Sequence, residues 1–325
     1  PEANPIAPMK PSRPLKIANP GYLYVMLAAI LWATSGTAAK MLFSHGISPF
    51  QLIQLRLGIA GAFLFVWLVL RRPALLRIAR RDLLYFALLG GGALAAAQFT
   101  YLFAISRVNV ATAILLQYLS PTFIALYAAV FTREYPDRTT LTAIIGAVAG
   151  CYLVVGAYDL EVLSLNALGV LSGLMSAVTF AWYAIQGESG MRRYPPLTVL
   201  FYALLFAFLT WNLLHPPLGA FFSPYTPGDW GWILYIGVMG TLLPFGFFFQ
   251  GVTRIRATRA SITATLEPIA AAVISYFLLH EALTPLQLLG GALVIGSVVL
   301  LQVRQELGPV APGETARRPA EADQA

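Results

Sequence analysis

Ten apolar runs, each close to the length that crosses a bilayer, dominate this chain. They cover approximately residues 22–43, 50–70, 83–105, 110–131, 139–158, 167–187, 196–214, 230–251, 260–279 and 286–303. A helix rises 1.5 Å per residue, so about 20 apolar residues span roughly 30 Å of hydrocarbon. Lipid offers no hydrogen bonds to an open backbone, so runs of this kind read as membrane helices. The longest connections are 71–82 and 215–229, which leaves no room for a soluble domain. Composition agrees: 58% of residues are hydrophobic and only 11% are charged, against about 25% charged in soluble domains. The mean hydropathy is +0.72. A soluble enzyme is excluded on this ground.

The first run does not read as a cleaved signal peptide, because it is long and no A-x-A-like site precedes a soluble mature part. Residues 1–8 (PEANPIAP) precede Met9 and read as an expression scar, with Met9 as the start. The expected organisation is a cytoplasmic tail over 1–19, a first five-helix unit over 20–160, a second over 166–303, and a disordered cytoplasmic tail over 304–325, which is rich in Pro, Glu, Ala and Gly.

The basic residues orient the ten-span scheme. With the N-terminus in the cytoplasm, 18 of the 21 Lys and Arg fall in inside segments, Arg107 alone falls outside, and Lys40 and Arg56 lie within spans. A missing or extra helix would scramble that split, so both termini are expected inside. The net charge of +7 then belongs to arginines facing anionic lipid, not to a nucleic-acid surface. Cys151 is the single cysteine, which excludes an internal disulfide and a cysteine-based zinc site. His45, His215 and His280 lie far apart, and no metal constellation is evident.

The chain is also one sequence read twice. At an offset of 147, Pro49 meets Pro196, Asp82 meets Asp229, Gly90 meets Gly237, Arg107 meets Arg254, Pro121 meets Pro268 and Glu134 meets Glu281. An offset of 148 aligns the first span with the sixth, where Gly21, Leu23, Trp32 and Ala33 meet Gly169, Leu171, Phe180 and Ala181. Five spans per repeat is an odd number, so the halves enter the membrane from opposite sides. The expected fold is an all-α membrane protein of ten transmembrane helices in two inverted five-helix repeats, the architecture of secondary carriers. Duplication in a membrane protein that carries nothing is the competing reading.

Several ordered segments resemble the EamA-type, ten-helix branch of the drug/metabolite transporter superfamily. They are AAILWATSGTAAK in the first span, PFQLIQLRL at the start of the second, Ser120-Pro121, Glu267-Pro268, and the TREYPDR and HEALTP loops that carry Glu134 and Glu281. The resemblance covers about 20–303, and the aromatic amino-acid exporter group (YddG type) is the most similar in overall character. It implies a carrier in the bacterial inner membrane that exports amino acids and related metabolites by alternating access. It also implies that spans one, three, four, six, eight and nine line a central cavity, with two and seven supporting and five and ten peripheral.

On the cavity-facing spans, Trp32, Gln98, Tyr101, Gln117, Tyr118, Trp182, Tyr183, Gln186, Gln250 and Glu267 are the candidate substrate contacts. Gln98 and Tyr101 share a face of span three, and Trp182 and Gln186 share a face of span six. An aromatic box with a few amides suits a zwitterion with an apolar side chain; interface anchoring and helix packing are the plainer roles. Glu267 is the one carboxylate well inside a span. It reads either as a proton or substrate contact or as a cap for the kink at Pro268, with Ser120 at the equivalent place. Lys40 and Glu188 coincide at offset 148 and are candidate gates, with snorkelling to the interface as the alternative. Pro121 and Pro268 bend spans four and nine as hinges or as static kinks. Gly90 and Gly237 allow close approach and sliding. Arg56, six residues into span two, either helps bind a carboxylate or has a structural role, and the structural role is favoured.

No G-x-x-x-x-G-K-[ST] loop, G-x-S-x-G motif or acid–base cluster is present, so neither ATP hydrolysis nor enzymatic chemistry is expected. No cofactor and no metal are expected. The expected partners are a small-molecule substrate and the bilayer; no obligate protein partner is implied, and a monomer suffices. Proton-coupled multidrug efflux is the alternative function, although the first span lacks the glutamate that small multidrug members use.

Overall fold

The computed structural model describes residues 20–132, 137–214, 218–255 and 257–307. Its helical segments in chain order are α1 Pro20–Ser44, α2 Pro49–Arg71, α3 Arg80–Arg107, α4 Val110–Phe131 and α5 Arg138–Val154, followed by α6 Leu160–Met191, α7 Pro196–Leu214, α8 Pro227–Val252, α9 Ile262–Leu279 and α10 Pro285–Leu307. Among the described residues no strand is present. Nine of these segments include stretches long and apolar enough to cross a membrane, and α5, at 17 residues, is a shorter apolar helix. The expected run 139–158 therefore ends early as helix, at Val154; Gly156 follows in the left-handed region with φ 70°. Helix α6 begins before its expected start at 167, and α10 continues to Leu307, into the stretch expected to be disordered from 304. Residues 1–19 and 308–325, Glu134 and His215 lie outside the described residues.

Local chemistry sets the helix starts. Ser48 accepts from Gln51 N while the Gln51 side chain accepts from Ser48 N, and Pro49 occupies the first turn, where a missing N–H costs nothing. Thr226 and Asp229 make the same reciprocal pair ahead of Pro227 in α8. Asp137 caps α5 through Thr140 N at 2.9 Å.

The helix packing obeys a single exchange rule. α3 lies against α6 as α8 lies against α1; α1 lies against α9 as α6 lies against α4; α3 lies on α7 as α8 lies on α2. The remaining principal pairs, α2 with α7, α4 with α9 and α5 with α10, map onto themselves. Swapping each helix for the one five places along leaves the whole set unchanged, as two copies about a pseudo-twofold axis require.

The aligned glycines show the same symmetry in atomic detail. A Cβ on Gly90 would run into Ala203 and Phe206 of α7, and one on Gly237 would lie 2.5 Å from Ile59 of α2. Ile59 is the residue that offset 147 places on Phe206. Both glycines sit in or beside π-helical turns, Ala87–Leu94 in α3 and Val238–Leu242 in α8. Such turns often mark functional sites. Gly150 and Gly290 bring α5 and α10 into backbone contact, each Cβ position being 2.7 Å from the other's carbonyl oxygen. Leu70, Leu84, Phe131, Leu213 and Phe277 turn large apolar side chains outward, as a lipid-facing surface does.

Because the atoms facing Gly90 include backbone, Gly90→Ala is expected to cost about 1–3 kcal/mol by overpacking. Gly61→Ala, with nothing within 4 Å of the new methyl, is expected to leave stability unchanged. Apparent melting temperatures in detergent check this: a clear drop for the first and none for the second.

Candidate functional site

The central feature is a polar cluster built where two helices break. In α9 the helix is interrupted at Thr265 and restarts at Leu266, with Pro268 in its first turn. Proline has no N–H, so the carbonyl four residues earlier, on Ala264, loses its helical donor. The Tyr118 hydroxyl supplies a replacement, donating to Ala264 O at 2.7 Å across the repeat boundary. Tyr118 itself lies at the equivalent break in α4, between Val110–Gln117 and the restart at Ser120. Offset 147 puts Tyr118 on Thr265 and Pro121 on Pro268. The kinks expected at the two prolines are present at matching depths.

Glu267 is 9% exposed and has Oε2 3.1 Å from the Tyr118 hydroxyl. A hydroxyl has one proton, and the shorter bond to Ala264 takes it, so the carboxylate is the weaker acceptor. Kink capping therefore falls to Tyr118 and leaves the Glu267 carboxylate largely uncommitted. Opposite it stands Arg56, 5% exposed. Its Nε donates to Thr241 Oγ1 at 2.7 Å and its Nη2 to Gly240 O at 3.3 Å. Thr241 passes its own proton to Ile236 O at 2.9 Å across the π-helical turn, which fixes the hydroxyl as an acceptor toward Arg56. Arg56, Glu267 and Tyr101 lie within electrostatic range of one another. These bonds tie α2 to α8, which accords with the structural role favoured for Arg56 and leaves the carboxylate-binding alternative open. Two glycines permit close helix packing nearby: Gly36 faces the Tyr101 hydroxyl, 3.2 Å from where a Cβ would stand, and Gly240 faces Ser35.

Aromatic rings border this cluster. Trp32 meets Phe245 edge-on at 5.5 Å and Phe248 at 5.8 Å. Trp32 is four residues from Gly36 and Phe245 four from Thr241, so these rings lie about one helical turn from the charged centre. Tyr183 packs on Phe180 with centroids 5.9 Å apart. Gln98 is buried and shares its face of α3 with Tyr101. Gln117 is half-buried at the α4 break. The Gln186 carbonyl accepts from Tyr85, while its side-chain Oε1 is buried with no partner. Two candidates stand apart: Trp182 is 40% exposed and lies over Gly92, and Gln250 is exposed and engaged by Arg254.

The helix ends carry two kinds of polar tie. The first kind exists at both ends. Asp82 accepts from Arg193 Nη1 at 2.8 Å and from the Tyr194 hydroxyl at 2.6 Å, which joins the start of α3 to the α6–α7 turn. Asp229 pairs with His45 Nδ1 at 2.8 Å, which joins α8 to the α1–α2 turn. Asp82 and Asp229 match at offset 147, and His45 and Arg193 at offset 148. Sequence reasoning found the first match and missed the second, although both members are basic.

Among the described residues the second kind exists at one end; Glu134, the repeat mate of Glu281, lies outside them. Lys40 donates to Ile105 O and Val108 O at 2.8 Å each and lies 3.6 Å from Glu281 Oε1. Glu281 Oε2 in turn accepts from Val110 N at 2.8 Å. The ends of α1, α3, α4 and α9 are thereby clamped beside a cleft of about 460 Å³ lined by Lys40, Arg107, Thr112, Tyr158, Asn166 and Gln287 among others. The repeat mate of Lys40, Glu188, is exposed and pairs along its own helix with Arg192 at 2.8 Å. Of the two candidate gates, Lys40 bridges helices and Glu188 does not.

This packing defines a class: an all-helical, internally duplicated membrane protein with polar residues at its centre. The model of the EamA-like transporter family matches residues 19–156 and again 167–303, one match for each half, and the chain belongs to that family. It is therefore a multi-pass membrane transporter. The chain is 30% identical to an uncharacterized inner membrane transporter, YicL, of Salmonella typhimurium, over 87% of this chain and 95% of the relative. It is 28% identical to a probable terminal-alkyne amino-acid exporter of Streptantibioticus cattleyicolor, over 87% and 93%. It is 26% identical to the threonine/homoserine exporter RhtA of Escherichia coli, over 87% and 92%.

Hydrogen bonds to a charged donor contribute about 1.5–3 kcal/mol each, enough to shift an open-to-closed ratio about tenfold. Lys40→Gln is therefore expected to raise, several-fold, the labelling of a cysteine placed at Thr112 in a Cys151→Ala background, by a reagent confined to the Lys40 side. Exchanging the pair, Lys40→Glu with Glu281→Lys, is expected to recover part of the protection. Labelling that does not change in Lys40→Gln would mean that the clamp does not hold that end shut.

Proposed function

We propose that this protein is a secondary carrier of the bacterial inner membrane that exports amino acids, aromatic and other apolar ones included, and related metabolites by alternating access. In this reading all ten apolar segments cross the bilayer, α5 included. The repeats 20–160 and 166–303 are inverted, the termini and the tails 1–19 and 304–325 are cytoplasmic, and the Lys40 end faces outward. The observation that carries the reading is the contrast between symmetric packing and the different use of two matching positions, Lys40 bridging helices to Glu281 while Glu188 pairs along its own helix. Ties present at both ends together, such as Asp82–Arg193 and Asp229–His45, hold each repeat to the other through the cycle. A tie found among the described residues at one end, Lys40–Glu281, is of the kind that exchange between two states makes and breaks. The breaks at Pro121 and Pro268, and the π-helical turns at Gly90 and Gly237, supply the bending points. The substrate contacts are Trp32, Gln98, Tyr101, Gln117, Tyr118, Tyr183, Gln186 and Glu267, while Trp182 and Gln250 fit entry or surface positions. The amino-acid exporters among the relatives support the substrate class.

A second reading, proton-coupled multidrug efflux, draws on one observation: Glu267 is a buried carboxylate beside a hydroxyl at a helix break, as a proton site requires. Counterflow in proteoliposomes separates the two. Vesicles are loaded with unlabelled amino acids, and entry of labelled phenylalanine, threonine or methionine is followed with and without a pH gradient. Accumulation without a gradient is the expected result. Exchange of none of the three by folded, inserted protein, together with gradient-driven movement of cationic drugs, would replace the first reading with the second.

A further inference from the structure

We propose that Arg56 and Glu267 are the two poles of a head-group site, Arg56 taking the substrate's carboxylate and Glu267 its ammonium group, with the side chain directed toward Trp32 and Phe245. This inference rests on the amino-acid reading above and adds which atoms are recognised.

The geometry of Arg56 carries the argument. A guanidinium presents five N–H groups along two edges. Thr241 and Gly240 O engage the Nε–Nη2 edge and hold the plane in place. The Nη1–Nη2 edge, which grips a carboxylate with two parallel bonds, takes no second protein acceptor among the described residues. Nor does Arg56 form an ion pair there: the four ion pairs among the described residues all lie elsewhere. Glu267 feels the Arg56 charge across the cluster but does not close on it. Two opposite buried charges within electrostatic range but not in contact are costly in a membrane unless something bridges them. A zwitterion bridges them and loses little, because each of its charges meets an opposite one.

The surroundings suit such an occupant: Tyr118 brings a hydroxyl to Glu267, and Tyr101 lies within electrostatic range of both poles. The Trp32–Phe245 pair, about one turn away, offers an apolar wall to whatever side chain extends from the head group. The site thus separates two tasks. Opposite charges select the α-amino-acid head, and tolerant aromatic surface accepts varied side chains. A monoanion such as a simple carboxylic acid, or a monocation such as an amine, would leave one pole unpaired and is rejected by that pole.

Counterflow of labelled phenylalanine provides the test, with phenethylamine (no carboxylate) and hydrocinnamate (no ammonium) as competitors. Wild-type protein is expected to favour phenylalanine over each by about tenfold or more, the scale of a lost charge-assisted hydrogen bond. Arg56→Gln is expected to abolish the preference over phenethylamine alone, and Glu267→Gln the preference over hydrocinnamate alone. Wild-type counterflow without discrimination, or variants whose losses are equal for all three compounds, would overturn the head-group assignment and leave the carrier reading intact. Absence of any amino-acid counterflow by the wild type would sink the amino-acid reading, and the head-group site with it. Should Arg56→Gln fail to fold, as thermal unfolding of the purified protein would show, Thr241→Val releases the guanidinium instead. The ratio of phenylalanine to phenethylamine affinity must then fall several-fold, and an unchanged ratio overturns the proposal.

Discussion

Hydrocarbon supplies no hydrogen bonds, so every backbone group at membrane depth must find its partner inside the protein. Most of this chain meets that constraint by being helix. The places where helix fails are therefore the places where other residues are compelled to gather. At Pro268 the orphaned carbonyl of Ala264 draws the Tyr118 hydroxyl across from the other repeat. That bond sets Tyr118 beside Glu267, and the same break turns Glu267 into the interior. At the π-helical turn of α8, Thr241 donates back to Ile236 O and so becomes an acceptor for Arg56. The polar centre of the molecule is thus a by-product of two local defects, each repaired by a side chain from elsewhere.

Duplication explains the framework, and divergence explains its asymmetry. The principal helix pairings are closed under exchange of the halves, and Gly90 and Gly237 meet equivalent positions on α7 and α2. The acidic anchors Asp82 and Asp229 kept their chemistry, each with a basic partner from the other half. Lys40 and Glu188 did not. A cation at one place and an anion at the other cannot make the same contact, so the clamp at Lys40 has no copy at Glu188. Asymmetry confined to a few charged positions leaves the shared packing intact.

Much of this was legible along the chain. Hydrophobic run length, basic-residue distribution and the offsets 147 and 148 lead to helices, repeats and family without reference to contacts. The prolines at 121 and 268 mark the breaks, because a missing N–H is a property of the residue itself. Arg56 was harder. Its position in α2 suggested support, and nothing in a linear pattern tells which way a long side chain bends or that Thr241 waits for it 185 residues away. The aromatic and amide candidates divided for a similar reason. Helical spacing places Trp182 and Gln186 on one face, but only the neighbouring helix decides whether that face meets lipid or protein. Gln250, an amide at the end of a span, is exposed and meets Arg254 one turn along.

By itself the sequence determined what depends on composition and period: that the segments are helical and apolar, that they come in two related sets, and where helix must break. These follow from properties carried by each residue or by neighbours within a few turns. The tertiary structure alone decided which polar groups meet. Arg56 with Thr241, Tyr118 with Ala264, Lys40 with Glu281 and His45 with Asp229 are separated by 146 to 241 positions. Their encounters depend on the rotation of each helix about its axis, and that rotation is chosen by the fit of glycines such as Gly90, Gly150 and Gly237 against their neighbours. Packing is a property of surfaces brought together, and no single stretch of chain contains both surfaces.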